Sequence, residues 1–199
     1  MGYNDGLRQV AETLPIKAGK ILVTGATGLI GSCCIDALLY ANEYCGCRFE
    51  IFALGRSQEK ISKRFKGKVT PVVQDVVMPL TLDVVFDYII HAASNADPKM
   101  YALQPAETIL TNVIGTKNVL EYCKKNIDTR LLLTSTFEVY GKIDGIDVYS
   151  ENMVGLVDFH MLRNGYTESK RCAEMLVNSY IDEYGINAVS YTHLRAHET

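Results

Sequence analysis

Between the apolar run Ile21-Leu22-Val23 and a helix pattern that begins at Leu29, the stretch ILVTGATGLIGS places Gly25, Gly28 and Gly31 at even intervals. A turn this rich in glycine lets a chain leave a strand and enter a helix at once. It also lets the backbone come close to whatever lies beyond the turn. The same alternation continues downstream. Short apolar runs predict strands over 49–54, 69–73, 86–91 and 131–133, and another from Ile186 onward. Helices are expected over 29–40, 108–123 and 167–183, the last with Ala173, Leu176, Val177 and Tyr180 on one face. Short buried strands alternating with helices predict an α/β fold, a doubly wound parallel sheet covered on both faces. A short amphipathic helix over 5–14 is expected ahead of it, so residues 1–19 read as an N-terminal extension and 20–188 as the sheet domain.

The composition excludes several classes. With 199 residues, 48% apolar and 22% charged, the chain is long enough for one sizeable core. Net charge is −3 and no basic block stands out, so neither nucleic acid nor a membrane surface is expected as a partner. No apolar run reaches the length of a bilayer span, and the N-terminus lacks a signal-type apolar core, so a cytoplasmic location is expected. The six cysteines are irregularly spaced, and Cys45-Gly-Cys47 has no second ligand pair, so reduced thiols and no metal are expected.

The last residues, VSYTHLRAHET at 189–199, lose the apolar pattern. All of them back-translate onto one reading frame of a transposase-type sequencing-library adapter. They are read as a non-native tail, which removes His193 and His197 as metal-ligand candidates. On this reading the natural protein continues past residue 188 and the chain is a fragment whose substrate lobe is missing. Made as written, it is expected to turn over little and to aggregate.

Three further segments carry chemistry. The glycine turn opens a helix whose first N–H groups and positive dipole end suit a phosphate. In NGYTESKRCAEML, Tyr166 and Lys170 stand four apart, on one face of a helix. An ammonium beside a phenol favours the phenolate and yields a base that works near neutral pH. In LTSTFEVYGK, an apolar strand ends in Thr134, Ser135 and Thr136, followed by Glu138. The carboxylate either supports the strand end through nearby backbone N–H groups or takes part in chemistry.

The Gly-x-x-Gly-x-x-Gly spacing, Thr136, and the Tyr166/Lys170 pair together resemble the short-chain dehydrogenase/reductase superfamily, extended branch. The resemblance covers nearly all of residues 18–188. It implies a Rossmann domain that binds NAD(P). Gly25, Thr27, Gly28, Leu29, Ile30 and Gly31 would surround the pyrophosphate. Asp75 and Val76 would meet the adenine, and HAAS at 91–94 would bring Ala92, Ala93 and Ser94 under the cofactor. Asn112 would face the active site, with Gly115 and Thr116 at a packing contact. Thr136 would hold a substrate oxygen, Tyr166 would take its proton, and Lys170 would bind ribose and tune Tyr166. The second strand ends Leu54-Gly55-Arg56-Ser57, without the carboxylate that usually holds the ribose. Arg56 there leaves NADP open beside NAD.

The same motifs resemble the nucleotide-sugar epimerases, dehydratases and decarboxylases. In this family dehydratases carry Thr-Asp-Glu after the strand, UDP-glucuronate decarboxylases Thr-Ser-Glu, and simple 4-epimerases no carboxylate. Here the residues are Thr136-Phe137-Glu138. Phe137 cannot donate a proton for dehydration, and Glu138 argues against simple epimerisation. The leading expectation is transient C4 oxidation and decarboxylation of a UDP-glucuronate-like nucleotide sugar. The alternatives are a 4,6-dehydratase, a 4-epimerase, or a non-catalytic dinucleotide binder. A homodimer through the helices near 108–123 and 167–183 is expected of the full-length protein.

Overall fold

The structure, a computed structural model, describes residues 2–146 and 148–192. His193 and His197, with the rest of the tail beyond 192, lie outside the described residues. Six parallel strands form one sheet: β1 (Ala18–Thr24), β2 (Arg48–Gly55), β3 (Thr70–Val73), β4 (Tyr88–His91), β5 (Arg130–Thr134) and β6 (Asn187–Tyr191). Their order is β3-β2-β1-β4-β5-β6. The chain direction of travel reverses between β1 and β4, which opens a crevice at the carboxyl ends of those two strands. The expected doubly wound Rossmann sheet is therefore present.

The helices are α1 (Tyr3–Thr13), α2 (Leu29–Tyr44), α3 (Gln58–Phe65), α4 (Pro98–Leu103), α5 (Pro105–Lys125) and α6 (Gly165–Tyr184). Strand alternation divides the core. Leu22 faces one side with Phe86, Ile89, Leu120, Leu131 and Val177, under α5 and α6. Ile21 and Val23 face the other with Ile35, Leu38, Phe49, Ile51 and Phe65, under α2 and α3. Each large side chain buried here stabilises the fold by about 1.5–3 kcal/mol.

The N-terminal helix packs on this core. Ala11 is fully buried in the second core, and Tyr3 donates its phenol hydrogen to Asp36 of α2 at 2.6 Å. In addition, the first three residues of the adapter-like tail do not fall outside the fold. Val189, Ser190 and Tyr191 continue β6 and pair with Leu132, Leu133 and Thr134. Strand pairing uses backbone groups, and a β-branched and an aromatic residue suit the edge whatever their origin.

Candidate functional site at the carboxyl edge of the sheet

β1 delivers the chain to Gly25, whose φ of +64° is left-handed. A Cβ on Gly25 would stand 2.7 Å from the Ala92 carbonyl and the Ala93 nitrogen, so only glycine fits against β4. A Cβ on Gly31 would run into the Gly25 carbonyl oxygen. Gly28 differs. It caps α2 with an ordinary extended backbone, and a Cβ there would meet only the Gly25 carbonyl oxygen, at 3.2 Å. What Gly28 leaves open is the space in front of the first turn of α2, where helix N–H groups lack intrahelical partners.

A cleft of about 250 Å³ runs from this turn across the carboxyl ends of β1, β2 and β4. Of the residues expected around a cofactor, Gly25, Thr27, Gly28, Arg56, Asp75, Val76, Ala92, Ala93 and Ser94 line it. Gln74, Asn95 and Thr111 line it as well, without having been foreseen. Leu29, Ile30, Gly31, Asn112, Tyr166 and Lys170 are not among the residues that line it. Asp75 accepts the Val77 N–H at 3.1 Å, closing a turn, while its other oxygen is 4.0 Å from Arg56. Arg56 donates to Glu107 at 2.9 Å across the mouth. The Ser94 hydroxyl and the Asn95 amide nitrogen are buried without a hydrogen-bond partner. Together with the gap at Gly28, these orphaned groups fit a phosphate-bearing dinucleotide.

Behind the cleft, a polar column joins three strands to two helices. Thr24 meets His91 Nδ1 at 2.7 Å, and His91 Nε2 meets Thr116 at 3.2 Å. Thr134 donates to the His91 carbonyl at 3.0 Å, and Lys170 donates to the Thr134 carbonyl at 2.8 Å. Burial, reinforced by the positive Lys170, drives the His91 pKa down to about 3. The imidazole is therefore a neutral structural hub. Burial also lowers Lys170 to about 8, with Glu174 pulling it back up. Gly115 packs as expected, since a Cβ there would be 2.8 Å from Val76.

At the tip of β5, Thr136 caps a short 3-10 turn, Phe137–Tyr140, by accepting the Glu138 N–H at 3.4 Å. The Glu138 carboxylate is held by side chains, not by backbone N–H groups. Thr167 donates to it at 2.8 Å, and Arg163 lies 3.4 Å from each of its oxygens. Tyr166 is buried and stacks on Tyr101 of α4, centroids 5.0 Å apart and planes 19° apart. Arg163 reaches the Tyr101 hydroxyl as well, at 3.2 Å. Asn112 donates to Ser169 at 2.9 Å, which in turn donates to the Tyr166 carbonyl at 2.8 Å. One difference from expectation is the direction of the Tyr166 pKa. Burial raises it, and although the neighbouring Thr136 hydroxyl pulls it down, Glu138 and Tyr101 push it further up. Lys170 does not figure among the causes, because its ammonium is turned to the Thr134 carbonyl.

The structure thus brings Thr136, Tyr166 and Glu138 to one corner, with Lys170 one helical turn behind. Sequence reasoning missed Tyr101, Thr167 and the Thr24–His91–Thr116 column. Thr167 had a signal: it stands four residues from Arg163 and from Arg171, a second stripe beside Tyr166 and Lys170.

A parallel sheet with a glycine-lined phosphate turn at its switch point and a Thr, Tyr and Lys cluster beside it defines a dinucleotide-binding α/β domain of the short-chain type. The chain belongs to the NAD dependent epimerase/dehydratase family, whose model matches residues 21–194. It is 37% identical over 168 residues to UDP-glucuronic acid decarboxylase 6 of Arabidopsis thaliana, an alignment covering 84% of this chain and 48% of that protein. The chain therefore spans about half the length of that relative. Its fold is similar to UDP-N-acetylglucosamine 4-epimerase from Methanobrevibacter ruminantium M1, with a TM-score of 0.70, 20% identity, and 89% and 55% of the two chains covered. It is likewise similar to dTDP-glucose 4,6-dehydratase from Bacillus anthracis in complex with NAD, with a TM-score of 0.68, 23% identity, and 86% and 53% covered. Among the described residues no helix is long and apolar enough to cross a membrane.

Proposed function

We propose that this chain is the cofactor-binding and proton-transfer part of an enzyme that decarboxylates a UDP-glucuronate-like nucleotide sugar. The observation that carries the reading is the convergence of Glu138, Arg163 and Tyr166 at one corner. Gly28 and the first turn of α2 would hold the pyrophosphate, and Asp75 with Val76 the adenosine end. Because Arg56 is already engaged by Glu107, an added 2′-phosphate would have to compete for it, which supports NAD over NADP. Bound there, NAD would supply the hydride acceptor for the sugar C4 and, once reduced, the hydride donor for its return.

The residues divide the remaining work. Thr136 orients the C4 hydroxyl, and Tyr166 takes its proton as the carbonyl forms. The C6 carboxylate is then β to a ketone, so CO2 leaves with its bonding electrons flowing into the C4 carbonyl. Arg163, with a half-exposed guanidinium, supplies a positive charge for that carboxylate before it departs. Glu138 relays a proton from water to C5, and Tyr166 returns to the oxygen at C4 the proton it took. Phe137, exposed beside Glu138, offers no acid for expelling a C6 hydroxyl, which counts against dehydration. The full-length protein is proposed to dimerise through α5 and α6, whose outer faces expose Leu110 and Met175.

The test supplies NAD and UDP-glucuronic acid and measures released CO2. Release is expected to fall by about 10²–10⁴-fold in Tyr166→Phe, the usual contribution of a positioned acid–base group. Cofactor affinity is expected to stay within about twofold, since the phenol oxygen does not bind phosphate. Sugar turnover without CO2 would overturn the decarboxylase reading, and an active Tyr166→Phe would overturn the role of Tyr166.

A further inference from the structure

Tyr101 has no motif to announce it, yet its buried ring lies against the ring of Tyr166. Its helix, α4, is only 98–103 and is started by Asp97, which accepts the Lys99 N–H at 2.9 Å, with Pro98 in the first turn. The hydroxyl end of Tyr101 is held by Arg163, whose guanidinium also sits 5.7 Å from the Tyr101 ring centre. One cation therefore grips both the ring behind Tyr166 and the Glu138 carboxylate in front of it.

We infer that Tyr101 is a positioning residue: its ring is the back wall that fixes the plane of the Tyr166 phenol, and its hydroxyl ties down Arg163, which reaches on to Glu138. This deepens the proposed function, because it rests on Tyr166 acting as the proton acceptor. A phenol free to rotate about its χ angles would meet a sugar hydroxyl only part of the time. Stacking at 5.0 Å with nearly parallel planes removes that freedom without contacting the reacting atoms. The groups that act on the phenol are Thr136 and Glu138 on the 3-10 turn and Tyr101 on α4. Of these, Tyr101 stacks on its ring.

The ionisation of Tyr166 tests this without substrate. With tyrosine labelled at Cζ, the Tyr166 signal is the one absent from Tyr166→Phe, and its titration is followed in Tyr101→Leu and Tyr101→Phe. Tyr101→Leu lets water reach the phenolate and should lower the midpoint by about one pH unit, the ordinary environmental spread of a tyrosine. Tyr101→Phe keeps the ring and should stay closer to the parent. Tyr101→Met, nearer in volume, replaces the leucine variant if that does not fold. In CO2 release, the leucine or methionine variant should lose about tenfold in kcat, the cost of a misplaced acid–base group, with the KM for NAD unchanged. A Tyr166 midpoint that is the same in the parent and in the ring-less variant would overturn the inference. The two readings fail separately. A parent that releases no CO2 but shows a ring-dependent midpoint sinks the proposed reaction alone. An active parent with an unmoved midpoint sinks the role of Tyr101 alone.

Discussion

His91 shows how one side chain can be central to a site without touching its chemistry. It is fully enclosed, bonded on both ring nitrogens, and neutral in the fold. In the unfolded chain the same imidazole takes up a proton near pH 6.5. The unfolded state thus binds more protons below that value, so the stability His91 contributes is whole above pH 6.5 and drains away as pH falls toward 3. Urea unfolding should show this decline, and His91→Gln should flatten it. Lys170 carries a burden of the same sign in a higher pH range. Its pKa is about 8 in the fold against an ordinary 10.5, so stability is whole above 10.5 and falls as pH drops to 8. At pH 7 the buried ammonium is a net cost, and Lys170→Met should unfold at higher urea, by about 1–2 kcal/mol, although it removes the ammonium proposed for ribose.

At the scale of elements, α6 presents two parallel stripes. Tyr166 and Lys170 lie on one. Arg163, Thr167 and Arg171 mark the other, and it grips the turn that carries Glu138. Arg171 donates to the Val139 carbonyl at 2.6 Å and to the Gly155 carbonyl at 2.9 Å. Gly141 makes room for it, since a Cβ there would be 2.7 Å from the guanidinium. Arg171→Met should cost about 2–3 kcal/mol, as two charge-assisted bonds are lost. It should also open residues 143–160 to limited proteolysis before the rest of the chain. The first stripe was legible because Tyr-x-x-x-Lys carries its meaning in spacing. The second was not, because its partners, the Glu138 carboxylate and the Val139 and Gly155 carbonyls, lie 16 to 32 residues away. The strands were legible from apolar runs, and the long helices from their periodicity. By contrast, α3 was missed because it buries only Ile61 and Phe65 in an otherwise charged stretch. Similarly, α4 was missed because six residues are too few to show a period. Tyr101 was invisible for that reason.

Across the whole molecule, the polar cleft at the glycine turn contrasts with the face next to it. Exposed Phe137, Leu156 and Met161 line a second hollow of about 580 Å³ together with Glu138 and Arg163, and Val154, Phe159 and Leu162 are exposed in the adjoining chain. A run of large apolar side chains beside a charged pair is more than scattered surface residues require. The chain should bind an environment-sensitive dye and associate with rising concentration in sedimentation, and Phe159→Ser with Leu162→Ser should reduce both. The glycine turn has a different kind of consequence. Gly25 and Gly31 are demanded by close backbone, whereas a Cβ at Gly28 would press only on the Gly25 carbonyl oxygen, at 3.2 Å. A side chain at that one position would fill the entrance proposed for a phosphate at the cost of a small local shift. The architecture can therefore be silenced without being dismantled, and descendants of such a domain are free to keep their shape after giving up their reaction.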